Sequence, residues 1–538
     1  MRCSPWGLGG RRWWWAQLAI LLAACGPSFG QVAASESDAV AARFPDPAVS
    51  YRTPAFEPGH DGLTSNAELR TLVHALVDDP SNTSRVKLLD VGSSQGGVPL
   101  EALHFSRTPA GGVHPTVLLV GQQHGDEPAG SEALLVVAQE LAHGNLAALL
   151  DRIDVVILPR ANPDGAAAHR RSTASGIDVN RDHLLLRTPE AQAFAALARD
   201  FAPVVVVDAH EFVALGRYVE KFGAVQRHDA LIQYAMVANL PGLVTRASEE
   251  WFRQPMRQAL KTQGLSSEWY YTNSSDPGDK KISMGGVQPD TGRNVNGLRN
   301  AVSFLIETRG ADLGRAHLLR RVHTHVIAIG SILASAAARA DDLQRLRRFV
   351  DAEVAAKACQ GELIVEAAAT SSEYTLAMLD PQTGTDKPVT VTWESALALT
   401  PLLKRARPCG YWLAADQGDA VLRLRALSVQ VQRVDNGGEM RGETYTETER
   451  DFGARSDVRG SIADGGGVLR VKVALAPALI DAAAGSYYVG LDQPLANLVV
   501  AAIEPDTQNS FVTNRIVDSV SALARVLRRP ALKMSAVP

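Results

Sequence analysis

Residues 116–130 read TVLLVGQQHGDEPAG. Val117–Val120 form an unbroken apolar run of strand length, without the polar alternation of a half-exposed strand. A strand of that kind is covered on both faces, as in a parallel sheet. Past its carboxyl end stand His124 and Glu127, and Pro128 then opens an apolar pattern at helical spacing. The pair suits two ligands of one metal ion, and equally two solvated residues of a polar loop. Two ligands do not make a zinc site, so the rest of the chain decides.

Outward from this stretch, strands and helices alternate. Residues 130–144 read as a helix, 154–160 (DVVILPR) as a strand and 189–201 as a helix. Residues 203–211 (PVVVVDAHE) read as a strand, 231–240 (LIQYAMVANL) and 248–264 as helices, and 301–308 (AVSFLIET) as a strand. Upstream, 66–79 has helical periodicity, and 84–107 reads as strand, turn, strand. A long helical stretch covers 318–356. Beyond about Ala356 the chain changes to short strand-like runs between Gly, Asp and Asn turns, among them 362–368, 374–380, 388–393, 420–434, 467–475 and 485–491. The expected architecture is α/β, a mostly parallel mixed sheet flanked by helices, followed by a smaller β-rich C-terminal domain, a sandwich. The boundaries read as an export signal at 1–25, a tether and irregular lead-in at 26–60, a catalytic domain at 61–345 and the β-rich domain at 346–538.

In such sheets ligands gather at the carboxyl ends of the strands. Four motif-bearing stretches fall there: HGDE at 124–127, PRANPDG at 159–165 continuing into HRRSTASGIDVNRDH at 169–183, DAHE at 208–211, and ETRG at 307–310. Their chemistry is complementary. Hydrolytic zinc takes three protein ligands and keeps one position open for water; His124, Glu127 and His210 meet that count. Glu307 at a strand end suits a general base. Arg171 or Arg181 suits stabilisation of an oxyanion, and Asp178 can hold the second nitrogen of a ligating imidazole.

These motifs, in this order, resemble the zinc carboxypeptidases, the carboxypeptidase A-like metallopeptidases, in a bacterial branch. The resemblance spans roughly residues 60–340. It implies a single zinc ion on His124, Glu127 and His210, with Asp178 orienting His124. It further implies Arg171 as the oxyanion arginine, Glu307 as general base, and Asn180 with Arg181 gripping the substrate's terminal carboxylate, which an arginine fork suits. The reaction implied is hydrolysis of the C-terminal peptide bond of peptides. The tyrosine that closes over substrate in the animal enzymes has no clear counterpart, since Tyr270 and Tyr271 lie far upstream of Glu307. Arg293 and Arg299, in GRNVNGLRN at 292–300, are candidates for further anion recognition. The alternatives carried with this reading are an aspartoacylase or succinylglutamate desuccinylase-like amidohydrolase of N-acyl amino acids, and an inactive binding protein on the same scaffold.

Other readings are weaker. His210–Glu211 lacks the second histidine of an HExxH helix. GSSQG at 92–96 matches a nucleophile elbow at Ser94, but a strand-like segment with Pro99 follows in place of the helix the elbow needs. His323 and His325 read as interface or surface residues, and His183 as an accessory to the site.

The 538 residues carry a formal net charge of −4, with 46% hydrophobic and 21% charged residues. No clustered basic excess points to nucleic acid. The amino terminus has Arg11 and Arg12, an apolar stretch from Trp13 to Ala24, and Cys25, the layout of an export signal. LAAC at 22–25 also resembles a lipobox, in which Cys25 is lipidated and becomes the only tie to a membrane. The expected location is periplasmic or extracellular. Export leaves Cys359 and Cys409 in an oxidising compartment, free to pair.

Overall fold

A computed structural model describes residues 36–537 apart from 83, 108–111 and 463–465. The export signal with Cys25, and the tether up to residue 35, lie outside the described residues. No helix among the described residues is long and apolar enough to cross a membrane.

Eight strands form the central sheet: β1 (Arg85–Ser93), β2 (Pro99–Ser106), β3 (Thr116–Gly121), β4 (Asp154–Leu158), β5 (Val205–Phe212), β6 (Ala230–Tyr234), β7 (Ser267–Trp269) and β8 (Val302–Arg309). Their order across the sheet is β1-β2-β4-β3-β5-β8-β6-β7. The four central strands run parallel; β2 meets β4 and β6 meets β8 antiparallel, while β1 pairs antiparallel with β2 and β7 parallel with β6. Residues of β3 alternate between two covered faces, as the strand period requires. Val117 and Leu119 pack with Leu134, Leu135 and Ala138 of helix α2 (Pro128–Ala142). Leu118 and Val120 pack with Phe194 and Leu197 of helix α3 (Pro189–Phe201). That double burial is why the run carries no polar residue.

Helix boundaries follow local chemistry. Helix α1 (Asn66–Asp78) opens on a reciprocal capping box between Ser65 and Glu68. Helices α2 and α3 each place a proline in the first turn, where its missing N–H costs nothing. The loops at the strand ends are drawn tightly together. A Cβ on Gly125 of HGDE would sit 1.9 Å from the backbone carbon of Gly165 in NPDG. Only a residue without a side chain allows that approach.

The β-rich region is interleaved with what precedes it. The long hairpin of Glu362–Leu379 and Asp386–Ala406 belongs to a five-stranded sheet that takes in Val225–Gln226, Thr272–Asn273 and Lys281–Ser283. A seven-stranded sheet is built from residues 410–536. The described residues form one compact unit, and a disulfide joins Cys359 to Cys409.

Four expectations are corrected. Residues 230–234 are a strand where 231–240 reads as a helix; a short run buried on both faces has no periodicity to tell the two apart. Residues 418–426 are a helix, burying Ala420, Val421 and Leu424, where 420–434 reads as a strand. The stretch 318–356 is two helices, α5 (Leu318–Ala338) and α6 (Ala340–Ala356), broken at Arg339. Helix α6 runs through the expected boundary at 345/346, and the β-rich region begins at Glu362.

The Gly125–Gly165 contact makes a direct prediction. Gly125→Ala forces the two site loops apart and is expected to cost about 1–3 kcal/mol, the range of overpacking. Urea unfolding checks it through the midpoint; an unchanged midpoint contradicts the packing described.

Candidate metal centre

The loop after β3 leaves the strand through Gln122, whose φ of 49° is rare outside glycine. Buried hydrogen bonds hold that turn: Arg160 Nε donates to Gln122 Oε1 at 2.7 Å, and Gln122 Nε2 donates to the Gly125 carbonyl at 3.0 Å. The turn carries His124 over the end of the sheet. Glu127 follows immediately before α2, and His210 rises from β5 next door. Ligand atoms of His124, Glu127 and His210 lie within 4.8 Å of one another, all buried.

The donor geometry fits a cation. Nδ1 of His124 lies 2.8 Å from Glu127 Oε1, Nδ1 of His210 lies 2.7 Å from Glu127 Oε2, and the two Nδ1 atoms are 3.0 Å apart. Each imidazole has its other nitrogen on a carboxylate: His124 Nε2 on Asp178 at 3.1 Å, His210 Nε2 on Asp208 at 2.9 Å. Carboxylates there favour N–H at Nε2, which leaves lone pairs on both Nδ1 atoms facing each other and Glu127. Two histidines and a carboxylate with an adjoining cavity are the donor set of a catalytic zinc site with an open position. The charge balance agrees. Burial works against ionisation of Glu127, yet His124 and His210 hold its carboxyl below the ordinary range. Burial likewise opposes charge on His210, yet Asp208 and Glu127 push it well above the usual histidine value. The pocket draws in positive charge.

Asp208 was not singled out by the sequence reading. The signal was present in DAH, because side chains two apart on a strand share a face. Gln123 Nε2 fixes Asp208 at 2.6 Å, and His183 lies 2.7 Å from Gln123 Oε1, which places His183 as a support for that carboxylate.

Asp178 also takes Arg171, whose Nε and Nη2 lie 3.0 and 2.9 Å from Oδ2. Arg171 Nη1 points on to His124 Nδ1 at 3.1 Å, so its guanidinium borders the donor cluster. Burial alone would raise the Asp178 carboxyl, but Arg171 and His124 hold it well below its ordinary value. Glu307 lies on β8 in register with His210 of β5. Burial, with Glu127 nearby, pushes its carboxyl up to about 7. A bound divalent cation would pull it back down.

His124, Glu127, Arg171 and Glu307 line a cavity of about 360 Å³ with Tyr270, Tyr271, Arg181 and Arg293 on its walls. Asn180 has its amide engaged: Oδ1 accepts from Gly292 N at 2.8 Å, and Nδ2 lies 3.2 Å from His210 Nε2. Arg181 donates from Nε to Asp457 Oδ2 at 3.0 Å and from Nη1 to the Asn180 carbonyl at 2.7 Å. Asp457 comes from a small hairpin in the β-rich region, Ser456–Asp457 against Gly460–Ser461, which also brings Arg459 to the cavity. Nothing in the local sequence of 456–461 marks it as part of a site. Arg299 turns away, donating to the Leu427 and Ala198 carbonyls.

The remaining candidates have structural partners. His325 is fully buried with Nε2 3.0 Å from the His210 carbonyl, and His323 is buried against Tyr51 at 2.6 Å, so of the interface and surface readings both residues take the interface one. Ser94 donates to Asp164 within a turn that leads into β2, with no helix after it.

A family model described as zinc carboxypeptidase matches residues 74–201. Carboxypeptidase 2 of Trichophyton equinum is 28% identical over 409 residues, covering 74% of this chain and 74% of that protein. Carboxypeptidase SOL1 of Arabidopsis thaliana is 30% identical over 165 residues, 28% of this chain and 33% of that protein. A crystal structure of a carboxypeptidase from Burkholderia mallei aligns at TM-score 0.39 and 17% identity, covering 51% of this chain and 68% of that one. The family match over residues 74–201 and the long alignment make the chain similar to zinc carboxypeptidases and support a hydrolase of that type. Carboxypeptidase 2 is fungal, so this alignment does not support a bacterial branch.

Asp208 should tune the metal through His210. Asp208→Asn is expected to weaken zinc binding about 10–100-fold, read by competition with a chelator. Unchanged affinity contradicts the arrangement.

Proposed function

We propose that the chain is an exported metallocarboxypeptidase that releases the C-terminal residue of peptides, with one zinc ion on His124, Glu127 and His210. The observation that carries this is a three-donor cluster, His124, Glu127 and His210, beside a cavity lined by His124, Glu127 and the strand-end carboxylate Glu307. When bound, zinc supplies a Lewis acid for the scissile carbonyl and an acidified water. Everything else falls to side chains of this chain. Glu307 takes the proton of the attacking water and delivers it to the leaving nitrogen. Arg171, fixed by Asp178 along its inner edge, offers its outer nitrogen to the developing oxyanion. The Asn180 carbonyl holds Arg181 in place. Arg181 receives the terminal carboxylate by exchanging Asp457 for it, a like-for-like replacement of one carboxylate by another. Export rests on the amino-terminal segment and is in keeping with the Cys359–Cys409 pair.

Glu307→Gln is expected to lower turnover about 10²–10⁴-fold while zinc remains bound at wild-type stoichiometry. The assay incubates the zinc-loaded protein with a peptide mixture and a panel of N-acyl amino acids, and follows products by mass spectrometry. Ladders shortened from the C-terminus, absent in the variant, are the expected result. Deacylation without ladders would assign the chain to the aspartoacylase-like reaction, and equal activity in the variant would remove Glu307 from the mechanism.

A further inference from the structure

We infer that the cavity selects substrates whose C-terminal residue carries a side-chain carboxylate, glutamate or aspartate, and that Arg293 reads it. This rests on the carboxypeptidase reading above and names its substrate class.

Arg293 lies in the first turn of helix α4 (Gly292–Leu298), is 3% exposed, and lines the cavity. Its Nη2 donates to the Gly286 carbonyl at 2.8 Å, while its Nε, fully buried, has no partner among the described residues. The acids that could neutralise it are engaged elsewhere. Asp290 pairs with Arg455 at 3.0 Å, Asp457 pairs with Arg181, and Glu307 is the proposed base. Burial, opposed by Tyr270 and reinforced by Arg181, pulls the guanidinium down to about 10. A buried guanidinium stays charged and needs an anion or a full set of acceptors. Tyr270 and Arg293 close tightly over Gly285, whose φ is +80° and where a Cβ would sit 2.7 Å from the Tyr270 ring and 3.2 Å from Arg293 Nη2.

A second cation reinforces the sign. Arg459 reaches the same cavity with its nearest carboxylates at 3.7 and 3.8 Å, beyond hydrogen-bond distance. A C-terminal glutamate or aspartate brings two carboxylates, one for Arg181 and one for Arg293. An apolar side chain would leave Arg293 desolvated and unpaired, and a lysine would face three arginines.

The test compares kcat/KM of the zinc-loaded full chain on peptides that differ only in a final Glu, Asp, Gln, Leu or Lys. Acid-ended peptides are expected to exceed the Gln-ended isostere by about tenfold or more, the size of one hydrogen bond to a charged group. In Arg293→Gln that ratio should fall to near one, and Arg293→Lys should restore part of it, with zinc content and melting temperature monitored throughout. If Arg293→Gln does not fold, the wild-type ratio and Arg293→Lys decide. Gln- or Leu-ended peptides cleaved as well as Glu-ended ones would overturn the inference, as would a uniform loss on all peptides in Arg293→Gln, which would make the residue a partner of Glu307 alone. Release from no peptide at all would instead defeat the carboxypeptidase reading. Calorimetry with N-acetylglutamate against N-acetylglutamine would then judge the subsite, a wild-type preference for the acid supporting it and equal binding removing it.

Discussion

Two imidazole nitrogens and a carboxylate sharing a buried space 3.0 Å across cannot rest there without positive charge between them. Most of the structure around the sheet's carboxyl edge reads as support for that constraint. Asp178 and Asp208 fix the outer nitrogens of His124 and His210. Gln123 and His183 brace Asp208, and Arg171 braces Asp178. The parallel strands β3, β5 and β8 bring the three contributing segments side by side, because adjacent parallel strands end on the same edge. The left-handed turn at Gln122 is a local strain that the buried Arg160 contact holds in place.

The sheet and the candidate donor cluster were largely legible in the sequence because each has a short-range signature. A run buried on both faces is apolar throughout, and HGDE, DAH and IETRG each follow such a run. Where two signatures coincide the sequence misleads. LIQY is apolar enough for helix or strand, and only its antiparallel place beside β8 decides. AVLRLRAL alternates like a strand and also repeats at helical spacing, and burial of Val421 and Leu424 on one side settles it as a helix.

What was not legible is long-range. The pairing of Arg181 with Asp457 spans 276 residues, and no local pattern in SDVRGS announces it. The same holds for the five-stranded sheet, whose short strands at 225–226, 272–273 and 281–283 are too brief to carry a periodicity. These contacts make the β-rich region part of the cavity wall. It supplies one carboxylate and one guanidinium, Asp457 and Arg459, to a cavity whose candidate metal donors all come from the α/β sheet and its strand-end loops. Arg293, in turn, was visible as a charge before the catalytic strand, but its lack of a carboxylate partner appears only once Asp290 and Asp457 are seen engaged by other arginines.

The most direct measurement is anomalous diffraction at the zinc edge from zinc-replete crystals of the chain. One peak about 2.0–2.2 Å from Nδ1 of His124, Nδ1 of His210 and a carboxylate oxygen of Glu127 is expected. No peak at that triad, or a peak held by a different set of side chains, would contradict the metal centre on which the proposed chemistry depends.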